Sequence, residues 1–351
     1  MRAVVYAGEG KVRVDDVPDP TLQEPGDAIV RVTRSAICGS DLHVLHGKTP
    51  GMREGGVIGH EFVGVVEEIG DGVAGFEGGE RVLGSFLIAC GECSFCLARR
   101  FNHCRSKRAL GLGALTGDLD GAQAERVRVP YAGVNLKRLD GELAPLSDEH
   151  ALFAGDVLAT GFYAAALSEI PRDGTVVVIG AGPVGLFCAA AARRAGARAV
   201  LVLDLDAERV RFATERLGLE AIDTSSLDAQ AAVNKWSEGR MADVAIEAVG
   251  SVHAFKLAMR CVADGGRVTV VGVYGAERYE LPMGMVWVRG LDLRFASMAN
   301  VQGHWDDALT AIARGDLDPT TVITHRMSLD DAEEGYRIFE AREAMKVVLI
   351  P

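Results

Sequence analysis

Cys90, Cys93, Cys96 and Cys104 stand within 15 residues of one another at x2, x2 and x7 spacings. Four thiolates on one loop can close a tetrahedron around Zn²⁺, and a closed site has no open position for substrate, so its role is structural. An iron–sulfur cluster is the competing chemistry. It is disfavoured because ferredoxin spacings differ and no cysteine of the four precedes proline. Arg99, Arg100, Arg105, Lys107 and Arg108 crowd the same loop and read as a solvated face. Of the other cysteines, Cys188 and Cys261 lie in apolar, helix-like contexts that suit small buried hydrophobes, and Cys38 stands alone.

A second chemistry begins at Gly180-Ala-Gly182-Pro183-Val184-Gly185. A G-x-G-x-x-G is weak alone, but this one follows the β-branched run Thr175 to Ile179 and opens a helix-favouring run. The next apolar strand, Val200 to Leu203, ends in Asp204. In that context Gly180 permits a tight turn, Gly182 lets backbone N–H groups approach a pyrophosphate, and Gly185 lets helix and strand pack closely. The helix N-terminus then faces the anion. Asp204 accepts from the adenosine ribose hydroxyls and repels a 2′-phosphate, so the expected cofactor is NAD.

Two kinds of element must position these groups. Residues 1 to about 150 read as short strands and turns, at Ala3 to Tyr6, Ala28 to Thr33, Phe62 to Ile69 and Arg81 to Leu83. From about 155 strand and helix alternate, through Val176 to Ile179, Leu186 to Ala195, Val200 to Leu203, Ala207 to Leu217, Val244 to Ala248, Ala254 to Val262 and Arg267 to Val271. That order builds a doubly wound parallel sheet. Helices at Asp306 to Arg314 and Ala332 to Ala341 and a strand at Lys346 to Ile350 follow.

A length of 351 residues suggests two domains. The formal charge of −12 makes nucleic acid and anionic membrane surfaces poor partners. Residues 174–192 carry no charge, but the glycines divide them into strand, turn and helix, so no membrane span is expected. Glu9, Asp15 and Asp16 interrupt any signal-like core, and the expected location is the cytoplasm, where cysteines stay reduced.

Cys38-Gly39-Ser40-Asp41-Leu42-His43 and Gly59-His60-Glu61-Phe62-Val63-Gly64 complete a pattern. Together with the four-cysteine lobe, the nucleotide fingerprint, Gly78 to Val82, Asp243 to Gly250, Gly265 to Arg267 and Lys346 to Leu349, they resemble the zinc-dependent medium-chain alcohol dehydrogenases over essentially the whole chain.

The resemblance implies a GroES-like, β-rich catalytic domain of residues 1–154 and 289–351, with its zinc lobe at 88–106, and an inserted Rossmann domain at 155–288. It implies two zinc ions and NAD. Cys38 and His60 become ligands of a catalytic zinc, Ser40 contacts the alcohol oxygen, His43 relays its proton and Asp41 fixes the tautomer of His60. Where the best-known branch has a cysteine this chain has Asp156, and aspartate occurs there in some branches. The alternative makes Asp156 a helix N-cap and gives the position to Glu61, which otherwise serves as a fourth or exchanging ligand.

Cofactor contacts are expected from Gly180, Gly182, Pro183, Val184, Gly185, Asp204, Arg209, Val249, Val273 and Lys346. The implied reaction interconverts an alcohol and its carbonyl compound by hydride transfer from a zinc-bound alkoxide. Polyol, amino-alcohol and formaldehyde dehydrogenases share such a site, and a non-catalytic zinc- and NAD-binding sensor is a more distant alternative. Phe86, Leu110, Phe153 and Trp287 are candidate pocket walls. Leu291 to Ala296 is the expected contact of a homodimer or tetramer.

Overall fold

The computed structural model describes residues 1–49, 51–275 and 278–351. They form two compact units, Met1–Ala159 with Asn300–Pro351, and Thr160–Ala299.

The first unit is built on the strand Ala28–Ile37, whose β-branched and small residues are mostly buried. It pairs antiparallel with Glu61–Ile69, Arg126–Val129 and Val347–Ile350. The full order of the seven-stranded sheet is 325–328, 347–350, 28–37, 61–69, 81–84 and 136–138, with 126–129 paired to the central strand. The register does the positioning. Ala36 faces Glu61 and Ile37 faces Val347, so the chain leaves the central strand at Cys38 beside both His60 and Lys346. Ahead of this sheet lies the hairpin Arg2–Tyr6 with Val12–Asp16. The helix Gly39–Leu45, not expected from the sequence, starts directly after Cys38.

The second unit has six parallel strands in the spatial order 220–223, 199–204, 175–179, 242–247, 262–270 and 292–295. Numbered by sequence this is 3-2-1-4-5-6, the doubly wound Rossmann order, with its switch point between strands one and four. Thr175–Ile179 is buried at every residue, as a central parallel strand covered on both faces must be. The sixth strand is hydrogen-bonded to the fifth, so this unit extends past the expected boundary at 288, to Ala299. The uncharged run 174–192 is strand, loop and the helix Pro183–Arg194. Among the described residues no single helix is long and apolar enough to cross a membrane.

Candidate functional site

The cysteine lobe is closed at its base by the short pair Leu87–Ile88 with Arg108–Ala109. Inside it the sulfurs lie 3.6 Å (Cys93 to Cys96), 3.5 Å (Cys104 to Cys90) and 4.0 Å (Cys90 to Cys96) apart. A tetrahedron with Zn–S bonds of about 2.3 Å has edges of about 3.8 Å, close to these three separations, so the four sulfurs could hold a metal ion. They are far too distant for disulfides, and all seven cysteines are free. Backbone N–H groups of Arg105 and Cys96 pull the Cys93 thiol down to about 6, which favours the thiolate a metal needs.

The lobe is docked by two residues the sequence did not single out. Asn300 accepts from Phe101 N–H at 3.0 Å and donates to the Arg99 carbonyl at 2.9 Å. Gln302 donates to the Leu87 carbonyl at 2.6 Å and to Asn135 Oδ1 at 2.8 Å. No local motif marks either one.

The second cluster gathers Cys38, His60, Glu61 and Asp156, all buried, with one donor atom of each within 4.8 Å of every other. Cys38 caps the strand end and His60 precedes the next strand. Asp156 follows the turn Phe153–Gly155 and precedes the helix Val157–Ser168. Its Oδ2 lies 3.3 Å from His60 Nε2 and 3.6 Å from Cys38 Sγ, turned toward the cluster. Ser40 Oγ is 3.5 Å from the same sulfur and 3.3 Å from His60 Nε2. Asp41 Oδ1 makes a close ionic contact with His60 Nδ1 at 3.0 Å, off the axis of a straight hydrogen bond. His43 is half-buried on the same helix as Ser40.

Electrostatics at this cluster are those of charges sealed from water. Burial pushes the Cys38 thiol up and raises the Glu61 carboxyl to about 7 against the pull of Lys346. Burial also opposes charge on His60, but Asp41 and then Asp156 outweigh it and hold the ring well above its ordinary value. Despite burial, the hydrogen bond from His60 keeps Asp156 low.

Lys346, expected at the dinucleotide, is instead 1% exposed with Nζ 2.6 Å from Glu61 Oε1. Among the described residues Glu61 Oε2 finds no hydrogen-bond partner. A sulfur, an imidazole and two carboxylates converging in a dry site, one with an orphaned oxygen, suit Zn²⁺ well.

Of the proposed pocket walls, Phe86 stands edge-on to His60 at 5.8 Å and Phe153 lies 5.7 Å from Lys346 Nζ. Leu110 belongs to the sealed core of the sheet, and Trp287 is 81% exposed on the helix Met283–Val288 of the other unit.

In the second unit, Gly180 has φ +104°, and a Cβ on Gly185 would lie 1.9 Å from the Gly180 carbonyl oxygen, so the fingerprint glycines are required by contact. Gly182 caps the helix that Pro183 and Val184 begin. Asp204 Oδ2 accepts from Ala181 N–H at 2.6 Å and Oδ1 from Asp206 N–H at 3.0 Å, which ties the second strand's end to the glycine loop. The Arg209 guanidinium reaches to 3.8 Å from where a Gly182 Cβ would sit. Val249 and Val273 follow the carboxyl ends of strands four and five and are 53% and 54% exposed.

Two family models match successive parts of the chain. Residues 24–137 match the alcohol dehydrogenase GroES-like domain and residues 183–314 the zinc-binding dehydrogenase domain. The chain is 34% identical to an uncharacterized zinc-type alcohol dehydrogenase-like protein of Bacillus subtilis, covering 100% of both. It belongs to the zinc-dependent medium-chain alcohol dehydrogenase family.

Among solved family members, the alcohol dehydrogenase of Thermus sp. ATN1 is 40% identical with a TM-score of 0.93, covering 100% of this chain and 99% of that one. A zinc-binding dehydrogenase of Sinorhizobium meliloti, solved bound to NADP, is 31% identical with a TM-score of 0.84, covering 100% and 99%. Membership makes this chain an oxidoreductase of the alcohol dehydrogenase type.

Proposed function

We propose that this chain is an NAD-dependent alcohol dehydrogenase in which Cys38, His60 and Asp156 hold a catalytic zinc, with Glu61 as a fourth or exchanging ligand. Cys90, Cys93, Cys96 and Cys104 hold a second, structural zinc. The observation that carries this reading is the convergence of four buried donors within 4.8 Å of one another. Zinc in such a site supplies Lewis acidity that brings the pKa of an alcohol down toward neutrality.

The chain's own groups do the rest. Ser40 Oγ holds the substrate hydroxyl and accepts its proton, and His43, three residues on and so on the same helical face, carries the proton toward solvent. Asp41 orients His60. Phe86 and Phe153 keep water from the flank of the site and favour a medium-sized apolar alcohol.

In the Rossmann unit a nicotinamide dinucleotide supplies the hydride acceptor. The amides ahead of Pro183 and the helix behind them bind its pyrophosphate. Each Asp204 oxygen, having accepted one N–H, keeps a second lone pair for the ribose diol. Val249 and Val273 offer apolar contact.

Free thiols throughout suit a reducing cytoplasm. Self-association is part of the same reading, since strand Asp292–Phe295 ends its sheet and Met283, Trp287, Val288 and Phe295 are exposed.

The test is oxidation of a panel of primary, secondary, polyhydric and amino alcohols with NAD⁺ and NADP⁺, alongside zinc analysis. Two zinc equivalents and turnover that His60→Ala abolishes are expected. No activity beyond that of the His60 variant would overturn the enzyme reading, and a higher kcat/KM with NADP⁺ would overturn the cofactor.

A further inference from the structure

Gln123 belongs to none of the motifs above, yet it is fully buried one step behind the metal-site cluster. The segment that carries it runs alongside Val57–Gly59. Gly121 N–H donates to the Val57 carbonyl at 2.9 Å, Ala122 to Gly59 at 2.9 Å and Gln123 to Ile58 at 3.0 Å. Its side chain packs where a side chain on Gly59 would go. Gly59 has φ +87°, and a Cβ there would lie 2.2 Å from Gln123 Cγ. The glycine before His60 is therefore needed both for its backbone and to admit this amide.

Every hydrogen on the amide is used. Nε2 donates to Asp41 Oδ2 at 3.1 Å and to the Ala36 carbonyl at 3.1 Å. Oε1 accepts from the Tyr336 hydroxyl at 2.8 Å. Two acceptors on one side and a donor on the other allow only one orientation of the group. Asp41 Oδ2 also accepts from Cys38 N–H at 2.9 Å, which leaves Oδ1 to face His60 Nδ1.

We propose that Gln123, held by Tyr336, is a positioning residue for the metal site: its amide fixes the Asp41 carboxylate so that His60 keeps its proton on Nδ1 and turns the Nε2 lone pair to the metal. Donation runs from Tyr336 to Gln123 and from Gln123 to Asp41, whose carboxylate is the common acceptor that faces His60 Nδ1 from the other side. It rests on the reading that Cys38, His60 and Asp156 hold zinc. Partners behind a metal ligand commonly govern metal affinity by about 10- to 100-fold, and Gln123 acts one bond further back, so the lower end applies.

The experiment follows zinc release from the intact protein into a colorimetric chelator, in wild type, Gln123→Met, Tyr336→Phe and the double variant. The four-cysteine zinc serves as an internal control in the same molecule. Release from the second site should quicken about tenfold in Gln123→Met and about threefold in Tyr336→Phe. The double variant should match Gln123→Met, because Tyr336 works through the amide. Release of the four-cysteine zinc should be unchanged, which loss of general stability would not permit.

With cobalt in the second site, the cysteine-to-metal absorption should shift in Gln123→Met. Equal second-site release in wild type and Gln123→Met overturns the proposal, as do additive effects in the double variant. If Gln123→Met does not fold, Tyr336→Phe decides alone, with unchanged second-site release as the refuting result. A wild-type protein that carries only the four-cysteine zinc overturns the underlying metal-site reading instead.

Discussion

Lys346 Nζ meets Glu61 Oε1 at 2.6 Å with both side chains closed off from solvent. The ammonium is the nearest compensating charge for a carboxylate whose other oxygen is unpartnered. In the metal-free protein Glu61 binds its proton more tightly when folded, at about 7, than its ordinary 4.5. Its contribution to stability is then intact below 4.5 and lost as pH rises toward 7. His60, held above its ordinary 6.5, likewise contributes fully below that value and loses it as pH climbs through the folded one. Zinc binding draws on the same lone pairs and tightens with pH. The Tm gap between zinc-loaded and stripped protein should therefore widen from about pH 5 to about pH 7, and less so in Glu61→Gln. A gap independent of pH would contradict the assignment.

Asp156→Asn keeps the volume and the turn but removes the charge. Zinc content should fall by one equivalent while the four-cysteine zinc stays, and turnover should drop about 100-fold or more. Retention of both zincs in this variant would return Asp156 to the role of a helix cap.

Cys93→Ser removes the sulfur whose surroundings most favour the thiolate. One zinc equivalent and several degrees of Tm should be lost, with kcat per folded molecule unchanged. A loss of kcat at full folding would mean that the lobe takes part in turnover.

Asp204→Ser should raise the ratio of kcat/KM for NADP⁺ to that for NAD⁺ by at least about tenfold, the factor carried by 1.4 kcal/mol. Because Asp204 also binds Ala181 N–H, KM should rise for both cofactors. An unchanged ratio would assign phosphate discrimination to another residue.

Chemistry written in local spacing was legible in the sequence. The four cysteines and the glycine fingerprint fall within single loops, and much of the order of strands and helices follows from periodicity, although the strand Glu220–Asp223 and the helix Ala229–Trp236 lie outside the elements it marks. Helix Ala207–Leu217 has the bounds its apolar pattern implies, with Asp206 capping its N-terminus and Gly218 ending it at φ +57°. What depended on register was not legible. Lys346 reaches Glu61 only because Ile37 pairs with Val347. Tyr336 reaches Gln123 across 213 residues of sequence, and Asn300 reaches Arg99 across 201. Tyr336 and Asn300 belong to no motif, and the segment that carries Lys346 does not reveal Glu61; each is defined by a partner that folding supplies. The short helix after Cys38 was hidden by the glycine and serine that open it.

The pairing of Ile37 with Val347 also bears on how the molecule is made. On the ribosome the central strand of the first sheet emerges early, and the strand that covers one of its edges emerges only after the whole Rossmann unit has been synthesised. The Rossmann unit is continuous and can fold during that interval, while the waiting edge at Ser35–Ile37 stays open to misplaced strands. Chaperone dependence and aggregation during expression should therefore follow the integrity of Val347–Ile350 more closely than any change within the metal-site cluster.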